Sequence, residues 1–209
     1  MTEKRWVYFG VVLAVTALVA PASAGDGLVA LQNADASCRS TTAPPPRYVD
    51  CDNGTVTDND TGLVWLKNAN CMGPVDWYTA MEFVAGLSDK PAESAAANQD
   101  CGLSDGSSPG EWRLPSVEEW EAMIANALGQ GGDPDCTASP PTITNDSGLG
   151  CWVSGPSSFT GVESSVYWAS TTCVNCAAGA WSAYLVLGIV DIHGKSNHFD
   201  YVWPVRGGQ

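Results

Sequence analysis

Gly110-Glu111-Trp112-Arg113-Leu114-Pro115-Ser116-Val117-Glu118-Glu119-Trp120 reads as an extended segment that stops and turns into a helix. Pro115 biases Leu114 away from helical dihedrals. Ser116 has the composition of an N-cap, and Glu119 stands three residues later, the capping-box spacing. Val117, Trp120, Met123, Ile124, Ala127 and Leu128 then recur at helical spacing, and Gly129 is a natural stop. This predicts a helix to about Leu128. Trp112 and Leu114 before the cap, with Trp120 after it, bury large apolar surface at one corner, about 2–3 kcal/mol for each buried aromatic. Trp112, Arg113, Leu114, Pro115, Ser116 and Glu119 are therefore read as a structural corner.

Working upstream, Asp76 has the composition of the cap of an earlier helix, Trp77 to Leu87, with Trp77, Ala80, Met81, Val84 and Leu87 as its apolar stripe. Before it come three short strand candidates, Arg47–Asp50, Thr55–Asp58 and Leu63–Leu66. Asp52-Asn53-Gly54 and Asp60-Thr61-Gly62 supply turns between them. Asp50, Asp52, Asp58 and Asp60 invite a calcium-loop reading. An EF-hand loop needs glycine at position 6 and glutamate at position 12. Here glycine falls at position 5 of either acidic run, so these acids are read as turn residues. Downstream of the corner, strands are predicted at Val166–Thr171, Ala180–Leu187, Ile189–His193 and Phe199–Arg206. Two helices set among short antiparallel strands argue for an α+β fold.

The first residues have the pattern of a leader. Lys4 and Arg5 precede an apolar run from Tyr8 to Ala20, and Ala22-Ser23-Ala24 is a small-residue cleavage site. Cleavage after Ala24 is expected, residues 1–24 being a secretory signal peptide. Residues 25–46 form a proline-rich arm ending in Pro44-Pro45-Pro46, and residues 47–209 form one domain. Nothing after the leader has transmembrane character. The mature chain is expected outside the cytoplasm, secreted or periplasmic. The full chain carries a formal charge of −14. Losing Lys4, Arg5 and Glu3 makes it one unit more acidic. Such a surface repels nucleic acid, anionic lipid and sulfated glycans.

Eight cysteines in an exported chain imply four disulfides. Eight cysteines allow 105 pairings. Because short loops are the easiest to close, the pairing expected is sequential: Cys38–Cys51, Cys71–Cys101, Cys136–Cys151 and Cys173–Cys176. Residues 129–165 are long, weakly periodic and rich in Gly, Pro, Ser and Asp. Such loops in compact domains are often functional. Trp152 is the aromatic on this segment, with Asp133, Asp135, Asn145, Asp146 and Glu163 as neighbouring polar groups. A tryptophan face and several oxygen ligands suit a sugar or a calcium ion, so these six residues are the expected ligand site. No cofactor is expected.

Gly54-Thr55-Val56-Thr57-Asp58-Asn59, Thr61-Gly62-Leu63-Val64-Trp65-Leu66 and Asn68-Ala69-Asn70-Cys71 resemble the opening of the bacterial Lcl C-terminal domain family. Trp112-Arg113-Leu114-Pro115-Ser116, Tyr167-Trp168-Ala169-Ser170-Thr171 and Val205-Arg206-Gly207-Gly208 resemble its later motifs, in the same order. The resemblance spans about Arg47 to Gly208. It implies a C-type-lectin-like fold with two helices, two small antiparallel sheets and a long loop region. The family includes the end domain of a collagen-like bacterial adhesin. This chain has no Gly-X-Y repeat, so a collagen stalk does not carry over. Glu-Pro-Asn, Gln-Pro-Asp and Trp-Asn-Asp, which build the calcium site of true C-type lectins, are absent from the sequence. Calcium therefore has no lectin-type motif here.

The function expected is a non-enzymatic binding or adhesion module for an extracellular glycan or protein. A structural role is the alternative, with the arm of residues 25–46 engaging a neighbouring copy. A third reading is an oxidoreductase of the formylglycine-generating type, which shares a distantly related fold and uses a cysteine pair. Here the one close pair, Cys173-Val174-Asn175-Cys176, reads as a hairpin-tip disulfide between two strands rather than a thiol pair opening a helix. Ala177 in place of histidine excludes haem attachment. His193 and His198 have no second Cys-x-x-Cys to complete a zinc site, and no nucleophile-elbow motif supports a serine triad.

Overall fold

The computed structural model describes residues 38, 40, 42–89 and 100–207. The expected leader, most of the arm, and Gly208 lie outside the described residues. Among the described residues no helix is long and apolar enough to cross a membrane. The fold is α+β. Strands β1 (Tyr48–Asp50), β2 (Thr55–Asp58) and β3 (Val64–Leu66) are followed by helix α1 (Trp77–Gly86) and helix α2 (Val117–Ala125). A 3-10 turn (Trp152–Ser154) precedes β4 (Val166–Thr172), β5 (Gly179–Tyr184), β6 (Ile189–Gly194) and β7 (Val205–Arg206). The strands make two antiparallel sheets, β1-β2-β3-β7 and β4-β5-β6.

The Trp-Arg-Leu-Pro-Ser corner joins the sheets. Arg113 and Val205 exchange both backbone hydrogen bonds, at 2.9 and 2.8 Å, which ties the corner to β7. Ser170 N–H donates to the Pro115 carbonyl at 2.8 Å and Val117 N–H to the Thr171 hydroxyl at 3.0 Å, which ties it to β4. The capping box closes: Glu119 N–H donates to Ser116 Oγ at 3.3 Å, and Ser116 N–H to the Glu119 carboxylate at 2.8 Å. That same carboxylate takes two parallel bonds from Arg113, each 2.7 Å. One side chain thus caps α2 and fixes the strand before it.

The core is aromatic. Trp120 is fully buried beside Trp65, Tyr167 and Trp203, with ring centroids 5.4, 5.7 and 6.0 Å away. Buried indole N–H groups need acceptors, and for Trp120, Trp168 and Trp203 backbone carbonyls supply them. Trp120 donates to Trp168 O at 3.1 Å, Trp168 to Val75 O at 2.7 Å and Trp203 to Leu66 O at 2.8 Å. At α1 the Asp76 carboxylate accepts from the N–H groups of Tyr78 and Thr79, and Phe83 joins Ala80 and Val84 on the buried face.

Most expected boundaries fall within about one residue of those observed, and three differ by more. The last strand is confined to Val205–Arg206, because Pro204 has no N–H and the preceding chain makes single bridges instead, Val75–Asp200 and Tyr167–Tyr201. The strand expected to reach Leu187 ends at Tyr184, whose carbonyl accepts from both Leu187 and Gly188 N–H in a turn where Gly188 has φ +68°. Helix α2 ends at Ala125, and tighter bonds from Ala127 to Ile124 and Leu128 to Ala125 carry the chain to Gly129, φ +72°.

The disulfides are Cys38–Cys51, Cys71–Cys101, Cys136–Cys151 and Cys173–Cys176. Cys38 fastens the end of the arm to the first hairpin, and four bridges suit an oxidising compartment outside the cytoplasm.

Candidate functional site

The first hairpin turns at Cys51-Asp52-Asn53-Gly54. Asp52 adopts φ +54°, a left-handed conformation that aspartate tolerates better than most residues. Asp50 Oδ1 accepts from its N–H at 3.0 Å. Gly54, at φ +85°, lies against Gly102: a Cβ there would sit 2.3 Å from the Gly102 carbonyl oxygen. The turn is therefore locked, and it holds two carboxylates on one rim.

The opposite rim comes from the long segment. Asn145 is buried and its Oδ1 accepts from Ser147 N–H at 3.2 Å and Ser147 Oγ at 2.7 Å. Its backbone N–H donates to Gly150 O, and Asp146 N–H donates to Pro156 O. These bonds close a loop that delivers Asp146 to β1, where Tyr48 N–H donates to the Asp146 carbonyl at 3.1 Å. The Asp146 carboxylate accepts from Ser158 N–H at 2.6 Å and Ser158 Oγ at 3.0 Å. Burial pushes its pKa up, and the charge of Asp50 adds to this, while the Ser158 bonds pull it down.

Between the rims is an open hollow of about 530 Å³ whose lining includes Tyr48, Asp50, Asp52, Asp146, Ser158 and Ser40. Tyr48 is fully buried; its ring packs edge-on to Phe159, and the Arg47 guanidinium lies 4.7 Å over it. Arg47 itself is sealed in a pair with Asp58, 3.3 Å. Asp50 also pairs with Lys67. The hollow thus presents carboxylate acceptors and two hydroxyls. It can take hydrogen bonds from hydroxyl or ammonium groups, and its charge disfavours sulfate or phosphate. Among the described residues no group of three or more His, Cys, Asp or Glu could hold a metal ion.

The six expected site residues are dispersed. Asn145, Asp146 and Trp152 share the closed loop, but only Asp146 reaches the hollow. Trp152 is half-buried against the core, its indole N–H enclosed without a protein acceptor. Asp135 is exposed, bridged to Leu128, and accepts from Thr137 N–H and Oγ1 at 3.1 and 2.7 Å; those bonds lower its pKa. Asp133 is exposed in the neighbouring glycine turn, its N–H donating to Gln130 O. Glu163 accepts from Asn70 Nδ2 at 3.1 Å. Asp50 and Asp52, read above as turn residues, are in the hollow. The acidic hairpin was the visible signal; its approach to Asp146 depends on a backbone bond between residues 98 positions apart.

A second polar cluster lies on one face of the β4-β5-β6 sheet. Asp200 Oδ2 accepts from Ser182 Oγ at 2.9 Å and pairs with His193 Nδ1 at 2.7 Å, while His193 Nε2 meets the Tyr184 hydroxyl. His198 stacks on His193 at 4.0 Å. Asp200 is buried and also exchanges backbone bonds with Val75, so the cluster buttresses the entry to α1.

The family model described as the Lcl C-terminal domain matches residues 54–206. No curated protein and no solved structure matches the chain.

Proposed function

The chain belongs to the Lcl C-terminal domain family, and from that premise we propose that it is an exported, non-enzymatic binding module of C-type-lectin-like architecture. Its ligand is a neutral or amino-bearing glycan held in the acidic hollow between the first hairpin and Asp146. The observation that carries this reading is the convergence of Asp50, Asp52 and Asp146 on one open hollow of about 530 Å³. Carboxylates and serine hydroxyls are the groups that meet vicinal sugar hydroxyls with directional hydrogen bonds, and pockets of this size enclose small ligands. The Cys38–Cys51 and Cys136–Cys151 bridges fasten the two rim segments, which reduces the ordering cost of binding.

The test is a glycan array probed with the oxidised protein, with calcium and with chelator. The reading expects saturable binding to neutral or amino sugars that is indifferent to chelator and is lost in Asp52→Asn/Asp146→Asn. Binding only to sulfated glycans, or binding unchanged in that variant, would refute it. An array on which nothing saturates would refute glycan recognition and favour a protein ligand.

A further inference from the structure

The Cys173–Cys176 bridge crosses the tip of the β4–β5 hairpin and differs from the other three bridges in two respects. It is the most accessible. Each other bridge has at least one buried partner, Cys38, Cys71, Cys101 or Cys136, whereas Cys173 is half-buried and Cys176 exposed, beside Val174 at 94% exposure. It also closes the shortest loop, with a separation of 3 residues against 13, 15 and 30. The entropy a bridge removes from the unfolded chain grows with loop length, so this bridge constrains the chain least.

The tip is held without it. Cys173 N–H donates to Gly179 O at 3.0 Å, Gly179 N–H to Cys176 O at 2.7 Å, and Lys195 N–H to Ala178 O at 2.8 Å. The Lys195 ammonium donates to Ala177 O at 3.2 Å and lies 4.4 Å over the Trp77 ring. Among the described residues it has no carboxylate within ion-pair distance. Its contact is with the carbonyl of the residue that follows Cys176, so it braces the tip from outside the bridge.

We propose that Cys173–Cys176 is a thiol-exchange site that reacts while the rest of the protein stays folded. An incoming thiolate attacks the exposed Cys176 Sγ. The Cys173–Cys176 bond breaks, a mixed disulfide forms on Cys176, and the Cys173 sulfur leaves as a thiolate that takes a proton from water. When the attacker is a dithiol, its second thiolate displaces Cys176. Two electrons then pass from the dithiol, which becomes a disulfide, to the pair, which becomes two thiols. The inference is independent of the glycan reading, since the tip shares no residue with the hollow.

The test is graded reduction of the oxidised protein with dithiothreitol under native conditions, trapping free thiols with N-ethylmaleimide and mapping them by peptide mass. Cys173 and Cys176 are expected to be labelled about tenfold sooner than any other cysteine, with the near-UV circular dichroism unchanged. Labelling no earlier than Cys136 and Cys151, or a near-UV signal lost in step with labelling, would overturn the proposal. Cys173→Ser leaves Cys176 able to exchange. Treated with glutathione disulfide, it is expected to take up one glutathione on Cys176, and Cys173→Ser/Cys176→Ser none. No uptake by the single variant, or equal uptake by both, would also overturn it.

Discussion

Glu119→Ala tests the corner that joins the two sheets. The Glu119 carboxylate accepts from Ser116 N–H at 2.8 Å and from both Arg113 Nη atoms at 2.7 Å. Losing the return half of the capping box costs about 1 kcal/mol. Arg113 would keep the carbonyls of Leu114 and Gly207, at 3.2 and 2.9 Å, but lose its counter-charge. Breaking a fully buried pair costs about 3–5 kcal/mol. Here the side chains are 24% and 18% exposed, and solvent reduces that penalty to about 1–2 kcal/mol. The expected total is about 2–3 kcal/mol. With a urea slope of about 2 kcal/mol/M for a domain of this size, the unfolding midpoint falls by about 1–1.5 M. Glu119→Gln, which retains the cap acceptor and one arginine bond, is expected to lose about half as much. The assay is urea unfolding followed by tryptophan fluorescence, completed as a double-mutant cycle with Arg113→Ala. A Glu119→Ala loss within about 0.5 kcal/mol of zero, or a coupling below that size, would refute the reasoning.

Three further outcomes follow from the geometry. Gly54→Ala forces a Cβ to 2.3 Å from the Gly102 carbonyl at a positive φ; a loss of at least about 2 kcal/mol is expected in the same unfolding assay, and a neutral result would contradict the close approach. Replacing both Cys71 and Cys101, which are buried and separated by 30 residues, with alanine is expected to cost about 3–4 kcal/mol, read as a lower thermal midpoint. For Asp146 burial raises the folded carboxyl above its unfolded value. Its contribution to stability is then fully present below the unfolded pKa of about 4 and is lost as pH rises through the folded value. Asp146→Asn keeps one acceptor, for Ser158 N–H, and places an amide N–H that can donate to Ser158 Oγ, without the charge. It is expected to be at least as stable as wild type at pH 7 and to lose that advantage toward pH 4; destabilisation at pH 7 exceeding about 1 kcal/mol would contradict the sign.

What was legible in the sequence was local. Ser116 and Glu119 announce the second helix because a capping box needs only four residues, and Asp76 announces the first in the same way. The hairpins were legible from Asp52-Asn53-Gly54 and Asp60-Thr61-Gly62, whose glycines both take positive φ. Segments shaped by distant partners were less so. Phe199–Arg206 alternates like a strand, yet most of it is pinned by Val75 and Tyr167 rather than by a continuous ladder. Trp152 stood out as an aromatic in a loop, but composition does not distinguish a face turned to a ligand from one packed on the core. The hollow was the least visible. Asp50 and Asp52 explain themselves as turn residues, and it takes the bond from Tyr48 to Asp146 and the packing of Phe159 on the Tyr48 ring to bring the two acidic rims together.

The central claim, that the acidic hollow is the binding site, is tested most directly by nuclear magnetic resonance titration of the oxidised, isotope-labelled protein with the tightest glycan from the array. The account predicts that backbone shifts concentrate at Tyr48, Asp50, Asp52, Asp146 and Ser158 and saturate together. Shifts confined to another face, such as the exposed apolar residues Leu187, Ile189 and Ile192, would contradict it.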